Sequence, residues 1–193
     1  MDIKFIFNRV KNLIVSPKEE WGRIHKEDYT KNEILLNYAL PLLIIIVICS
    51  IIGDIIFASR FLFSFMYVLT KAIIMFVVAF VSMYFSAIII NEITTSFNSK
   101  KNIHGTFKLV VYSFTAYLIT SAFTNLLPPL GISQLFALYS IYLFWIGTSI
   151  VLETPEDNKV GFVVVSGLIM AGIYTVVYLI LGKVLTGIFA VTL

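Results

Sequence analysis

Cysteine is almost missing from this chain. Cys49 is the only one among 193 residues. That excludes an intrachain disulfide and any zinc cluster built on thiolates. Histidine is nearly as scarce, with His25 and His104 alone. Neither has a second histidine at ligand spacing, and no H-E-x-x-H is present. G-x-S-x-G, Walker-type and dinucleotide-binding glycine patterns are also lacking. Charge is in short supply too: 13% of residues are Asp, Glu, Lys or Arg, about half the share a soluble domain carries. What fills the space is apolar. The hydrophobic set makes up 59% of the chain and the mean hydropathy is +0.95. So little polar surface cannot cover a globule in water, whereas lipid tails accept apolar side chains on the outside of a fold.

The apolar residues fall into runs of membrane-crossing length. A bilayer core of about 30 Å needs roughly 20 apolar residues per helix. Five such runs predict an all-α integral membrane bundle with spans at about 34–57, 66–90, 109–127, 132–152 and 160–181. Ahead of them, residues 1–33 predict short interfacial helices, and 34–193 form the transmembrane domain. Pro128 to Gly131 leaves so short a turn that the third and fourth spans must form a tight antiparallel hairpin. The start of the second span is the open boundary, because the Phe-rich stretch from Arg60 to Lys71 can extend the helix or lie along the interface. Gly182-Lys183 breaks the last apolar run, leaving a tail too short to cross alone. The first long run starts at Ile34, too late for a cleavable signal.

In the first segment, Ile3, Ile6, Phe7, Val10, Leu13 and Ile14 fall on one helical face, with Lys4, Arg9 and Lys11 elsewhere. This suits a helix lying in the membrane interface and equally a helix packed on the protein's own end. Ser16-Pro17-Lys18-Glu19 reads as a helix start with a capping box. Trp21 in the next helix suits headgroup depth.

Lys and Arg are distributed unevenly about the spans. Seven precede the first span; Lys100, Lys101, Lys108 and Lys159 fall on the same side. Arg60, Lys71 and Lys183 fall on the other. Eleven against three predicts a cytoplasmic N-terminus and an outside C-terminus. The N-terminal cations are interleaved with acids, a pattern for a solvated, membrane-facing surface and not for nucleic acid.

The candidate partner-facing residues are Trp21 and the polar loop residues Glu153, Pro155, Glu156, Asp157 and Lys159. The intramembrane polar candidates are Asp54, Lys71, Gln134, Tyr139 and Tyr142. Asp54 and Lys71 can pair across the ends of neighbouring helices as an ion site, or simply mark the membrane boundary. The tyrosines read as interhelical hydrogen-bonding groups or as a groove lining. No catalytic, metal or cofactor residue is expected.

Several segments resemble the Ypt-interacting-protein (Yip) family, in its bacterial branch. They are V-K-N-L-I-V-S-P-K-E-E-W-G-R-I (Val10 to Ile24), Tyr38-Ala39-Leu40-Pro41, S-F-N-S-K-K-N (Ser96 to Asn102) and K-L-V-V-Y-S (Lys108 to Ser113) through to Leu127-Pro128. The strongest are L-Y-S-I-Y-L-F-W-I-G (Leu138 to Gly147) and E-T-P-E-D-N-K-V-G-F (Glu153 to Phe162). The resemblance implies five spans and a cytoplasmic N-terminus. The chain departs from the pattern at Ala116, where many relatives carry proline and a kink. It also lacks the Asp-Leu-Tyr-Gly-Pro motif of the eukaryotic branch, so the small-GTPase partner of that branch is not carried over. Eukaryotic members act in membrane traffic at the Golgi and endoplasmic reticulum; for the bacterial branch the resemblance implies no biochemical activity. The expectation is a multi-pass protein of a bacterial inner membrane, non-enzymatic, that binds or scaffolds. Its partners would be membrane lipids, a protein at the cytoplasmic face and a second copy of itself. The competing expectation is a small channel or transporter with Asp54 and Lys71 near the path and Tyr139 and Tyr142 lining it.

Overall fold

The computed structural model describes residues 3–57 and 65–190. Arg60 and the next four residues of the Phe-rich stretch before the second span lie outside the described residues. So do residues 191–193.

Among the described residues, two short helices, α1 (Ile3–Val15) and α2 (Pro17–Lys26), precede five helices long and apolar enough to cross a membrane. The spans are Lys31–Phe57, Phe65–Phe97, Ile103–Leu126, Pro128–Val151 and Glu156–Lys183, numbered 1 to 5 below. Each starts earlier than its apolar run, spans 1, 3 and 5 because polar residues begin or cap their helices. Span 1 opens on a capping box: the Thr30 hydroxyl accepts from the Glu33 amide, and the Glu33 carboxylate accepts from the Thr30 amide at 2.8 Å. Span 3 opens on Asn102, whose side chain accepts from the His104 amide at 3.1 Å. The capping box expected at Ser16 does not form: its side chain makes no cap bond. Its backbone serves both helices instead, donating to the Asn12 carbonyl and accepting from the Glu20 amide. α1 and α2 therefore fold back on each other across one residue.

Four spans are irregular, span 2 only at its end, where Thr94–Phe97 tightens to a 3-10 turn. Span 1 contains a π-helical turn at Leu35–Ala39. Span 3 is interrupted at Phe114 without a proline; Thr115 Oγ1 bonds back to the Tyr112 carbonyl at 2.6 Å, a contact that bends helices. Span 4 begins as a 3-10 helix from Pro128 to Leu138 and becomes α-helical at Tyr139. The helix of span 5 continues to Ala190 as one 35-residue element, about 52 Å long. Gly182-Lys183 thus does not end it: one glycine in a helix costs only about 1 kcal/mol.

The core joins the N-terminal helices to the bundle. Leu13, Trp21 and Ile24 are as buried as Leu43, Met83, Phe107 and Leu143 of the spans, in one continuous cluster. Spans 1 and 3 approach closely at Gly53, where a Cβ would fall 1.9 Å from the Asn125 carbonyl oxygen.

Candidate functional site

The most concentrated polar chemistry lies where the α1–α2 hairpin meets spans 1, 3 and 4. Arg9 shares the inward stripe of α1 with Ile6 and Leu13, so its guanidinium is carried under the helix and is only 4% exposed. Two carboxylates from α2 and the segment beyond it meet it there. Nη1 lies 2.5 Å from Glu20 Oε1, and Nη2 lies 2.5 Å from Glu27 Oε1. Glu20 Oε2 also accepts from Asn12 Nδ2 at 3.1 Å and from Arg23 Nη1 at 3.2 Å. The guanidinium stands 5.0 Å from the Phe5 ring centre and 5.3 Å from that of Tyr112. Lys108 of span 3 donates to the Glu27 backbone carbonyl. Burial alone would pull the pKa of Arg9 down. The hydrogen bond to Glu27 and the charges of Glu27 and Glu20 outweigh it and hold the pKa above its ordinary value, so the guanidinium keeps its charge.

Below it, aromatic packing locks the hairpin down. The Trp21 ring meets Tyr112 edge-on at 6.3 Å, and the Tyr112 ring lies 4.6 Å from that of Tyr38, tilted by 58°. Tyr38 comes from the π turn of span 1 and bonds Thr115 Oγ1 at 2.7 Å. The Thr115 hydroxyl already gives its one proton to the Tyr112 carbonyl, so Tyr38 is the donor. Gly147 on span 4 is the floor beneath Trp21: a Cβ there would sit 2.7 Å from the indole. Trp21, expected to face a partner, is therefore fully buried. A tryptophan's preference for headgroups yields to a glycine-floored socket that excludes both water and lipid.

The loop between spans 4 and 5 sits at the same end. Its α-helix already begins at Glu156, so Leu152–Pro155 is all that connects the two spans. Glu153, at φ 52°, pairs with Lys100 at 2.9 Å. That hydrogen bond and the ammonium charge hold its carboxyl below the usual range. Ser99 and Thr154 hydroxyls bond at 2.8 Å, and the Lys100 amide donates to the Leu152 carbonyl. Glu153, Pro155, Glu156 and Asp157 are exposed. Lys159 is not: it is 7% exposed, 4.6 Å over the Trp145 ring, with Glu156 at 3.2 Å. The expectation that it faces outward is corrected, because its long stem lies along span 4 and its charge is met there.

At the opposite end, Lys71 Nζ reaches both oxygens of Asp54 at 2.8 Å. Gln134 Oε1 accepts from Thr124 Oγ1 at 3.0 Å, on the wall of a cavity of about 190 Å³ shared with Ser121, Asn125, Tyr117 and Tyr174. Tyr139 and Tyr142 are not among its described lining residues. Their rings lie 5.2 Å apart, and Tyr139 Oη donates to the Ile14 carbonyl at the end of α1. The structure thus brings Asp54 to Lys71 but does not bring the two tyrosines to Gln134.

The motif order on these spans has a counterpart among known proteins. A family model, the Yip1 domain, matches residues 11–188. The chain belongs to the Yip1-domain family. Comparison with curated proteins gives no match, and comparison with solved structures gives none. The matched Yip1 region begins inside α1 and runs through all five spans, so the buried Arg9 lies just outside it while Glu20, Trp21, Glu27 and Tyr112 lie within. Sequence reasoning missed Arg9, Glu20, Glu27, Lys108 and Gly147. The signal for Arg9 was its position: it stands three residues after Ile6 and four before Leu13, on the apolar stripe itself.

Proposed function

We propose that this protein is a non-enzymatic organiser of a bacterial inner membrane, with its hairpin end in the cytoplasm. One observation carries the reading. α1 is anchored to the bundle by Ile6, Arg9 and Leu13, yet it turns a second apolar row outward, with Ile3 70%, Phe7 67% and Ile14 42% exposed. Lys4 and Lys11 flank that row on the helix. An apolar row beside cations suits the boundary between headgroups and acyl chains. The Lys and Arg asymmetry supports the orientation, and the exposed acids Glu153, Glu156 and Asp157 offer a protein partner a face at the same end. Span 5, with Val164, Leu168, Val176, Leu179 and Ile180 exposed, leaves surface for lipid or for a second copy. Nucleic acid is not among the partners proposed.

The test is Phe7→Ser with Ile3→Ser in the full-length chain, reconstituted in vesicles with a polarity-sensitive dye on position 11. Wild type should report an apolar setting that the double variant loses, with the same thermal midpoint. Unchanged dye emission would refute the interfacial role of α1.

A second reading has one specific observation behind it: the Asp54–Lys71 pair and the polar cavity at Gln134 lie toward the same end of the bundle. A small channel would use them. Ion flux in liposomes that Lys71→Met abolishes would favour that reading over the organiser.

A further inference from the structure

We propose that the cavity beside the hairpin binds an ammonium group, seated among Phe5, Tyr29, Tyr38 and Tyr112 with Glu33 as its counter-charge. This deepens the lipid side of the reading above. It rests on the membrane setting and not on the outward row of α1.

The cavity holds about 320 Å³. Four of its walls are aromatic rings, arranged as two pairs: Phe5 against Tyr29 at 6.2 Å and Tyr38 against Tyr112 at 4.6 Å. Aromatic faces carry negative quadrupole density, and rings grouped about a pocket are the known means of holding organic ammonium ions. Two of these rings already do this for a cation of the chain itself, since Arg9 lies within cation–π distance of Phe5 and Tyr112. That guanidinium does not make the cavity cationic, because Glu20 and Glu27 neutralise it at 2.5 Å.

Glu33 supplies the charge the rings lack. Its carboxylate accepts from the amide and the hydroxyl of Thr30, each at 2.8 Å. Both donors are neutral, so they fix the side chain in place and leave its charge available. Asn37, from the π turn, adds an amide on the same wall. A hard divalent ion is a poor fit: magnesium and calcium take six or more oxygens, and one carboxylate among rings offers two. An organic ammonium needs only one anion and several π faces.

Position points to the source. The cavity lies where span 1 passes from Lys31-Asn32-Glu33 into its apolar run, the depth at which lipid headgroups stand. An ammonium-bearing phospholipid headgroup is one source and a free small amine the other.

The full-length protein in detergent is offered phosphatidylethanolamine or phosphatidylglycerol at equal concentration, and retained lipid is counted by native mass spectrometry. Wild type should retain the ethanolamine lipid in preference. Glu33→Gln should lower that retention roughly twofold to fivefold, with phosphatidylglycerol unaffected. This variant keeps the capping box, since glutamine serves there as well as glutamate, so its thermal midpoint should hold. Tyr29→Leu should act the same way more weakly. Free tetramethylammonium that displaces the lipid from wild type shows that the ammonium itself is read. Glu33-dependent binding of free tetramethylammonium with no lipid preference assigns the site to a soluble amine. Equal retention of both lipids together with no binding of the free cation overturns the proposal, as does Glu33→Gln behaving like wild type. None of these outcomes depends on whether Phe7 meets the bilayer.

Discussion

Gly147→Ala is the smallest change that tests how the N-terminal hairpin is held. The added methyl would lie 2.7 Å from Leu109 Cδ1 and 2.7 Å from Cε2 and Cζ2 of Trp21. Carbon atoms prefer to stand about 3.5–4.0 Å apart, so one partner must retreat by about an ångström. Leu109 is fully buried and has no room to retreat. Trp21 is held by Tyr112 at its edge, and moving it displaces the short helix α2 with it. Overpacking of this kind typically costs about 1–3 kcal/mol. The expected result is a lower denaturant midpoint and a red shift of Trp21 emission, read in a Trp145→Phe background so that Trp21 alone emits. The double variant Gly147→Ala, Trp21→Leu isolates the contact. If the methyl and the indole collide, the combined loss falls short of the sum of the single losses by more than about 0.5 kcal/mol. Additive losses, or an unshifted Trp21 spectrum in Gly147→Ala, would refute the socket.

Other outcomes follow from the same coordinates. Arg9→Met leaves Glu20 without its buried partner and should cost about 3–5 kcal/mol by thermal melting, while Arg9→Lys should recover only part, because one ammonium cannot replace two separately directed guanidinium nitrogens. Gly53→Ala sets a methyl 1.9 Å from a backbone oxygen, which no side-chain rotation relieves. It should lower the thermal midpoint more than Gly147→Ala does and raise the distance between spin labels on spans 1 and 3. Glu153 has a depressed pKa in the folded protein, so its pair with Lys100 is complete above the unfolded carboxylate pKa of about 4.3 and is lost as pH falls through the lower, folded value. Hydrogen exchange at the Lys100 amide should be protected equally from pH 5 to 7, after correction for intrinsic rates. It should lose protection only in stronger acid, and Glu153→Gln should remove that acid dependence.

The five spans were legible because apolar runs of 20 residues have few other uses. Their ends were less so. The starts of spans 1 and 3 depend on Thr30 with Glu33 and on Asn102, polar caps outside the apolar count. Ser16 shows the converse, a cap sequence whose backbone is taken up by a tight reversal. The hairpin cluster was illegible for a different reason. Trp21 meets Gly147, and Tyr38 meets Thr115, across long stretches of chain, and no local period encodes such pairings. The same holds for Lys159, whose burial depends on Trp145 one span earlier. Arg9 was readable in principle from its register, but a charged residue on an apolar stripe is ordinarily taken for an edge position. The Asp54–Lys71 pair was the easier inference, since both ends are fixed by the boundaries of spans 1 and 2.

The continuity between hairpin and bundle also governs how this protein can be dissected. Residues 1–26 look like an arm that could be cut away to ask what it recruits. Cutting there would strip the cover from Tyr112, Leu109 and Gly147 and would leave Glu27, whose carbonyl Lys108 contacts, without the helix that places it. A truncated chain that lost its partners would then report a damaged bundle as readily as a missing recognition surface. The informative instruments are single substitutions on the outward row of α1, which leave the inward stripe of Ile6, Arg9 and Leu13 intact.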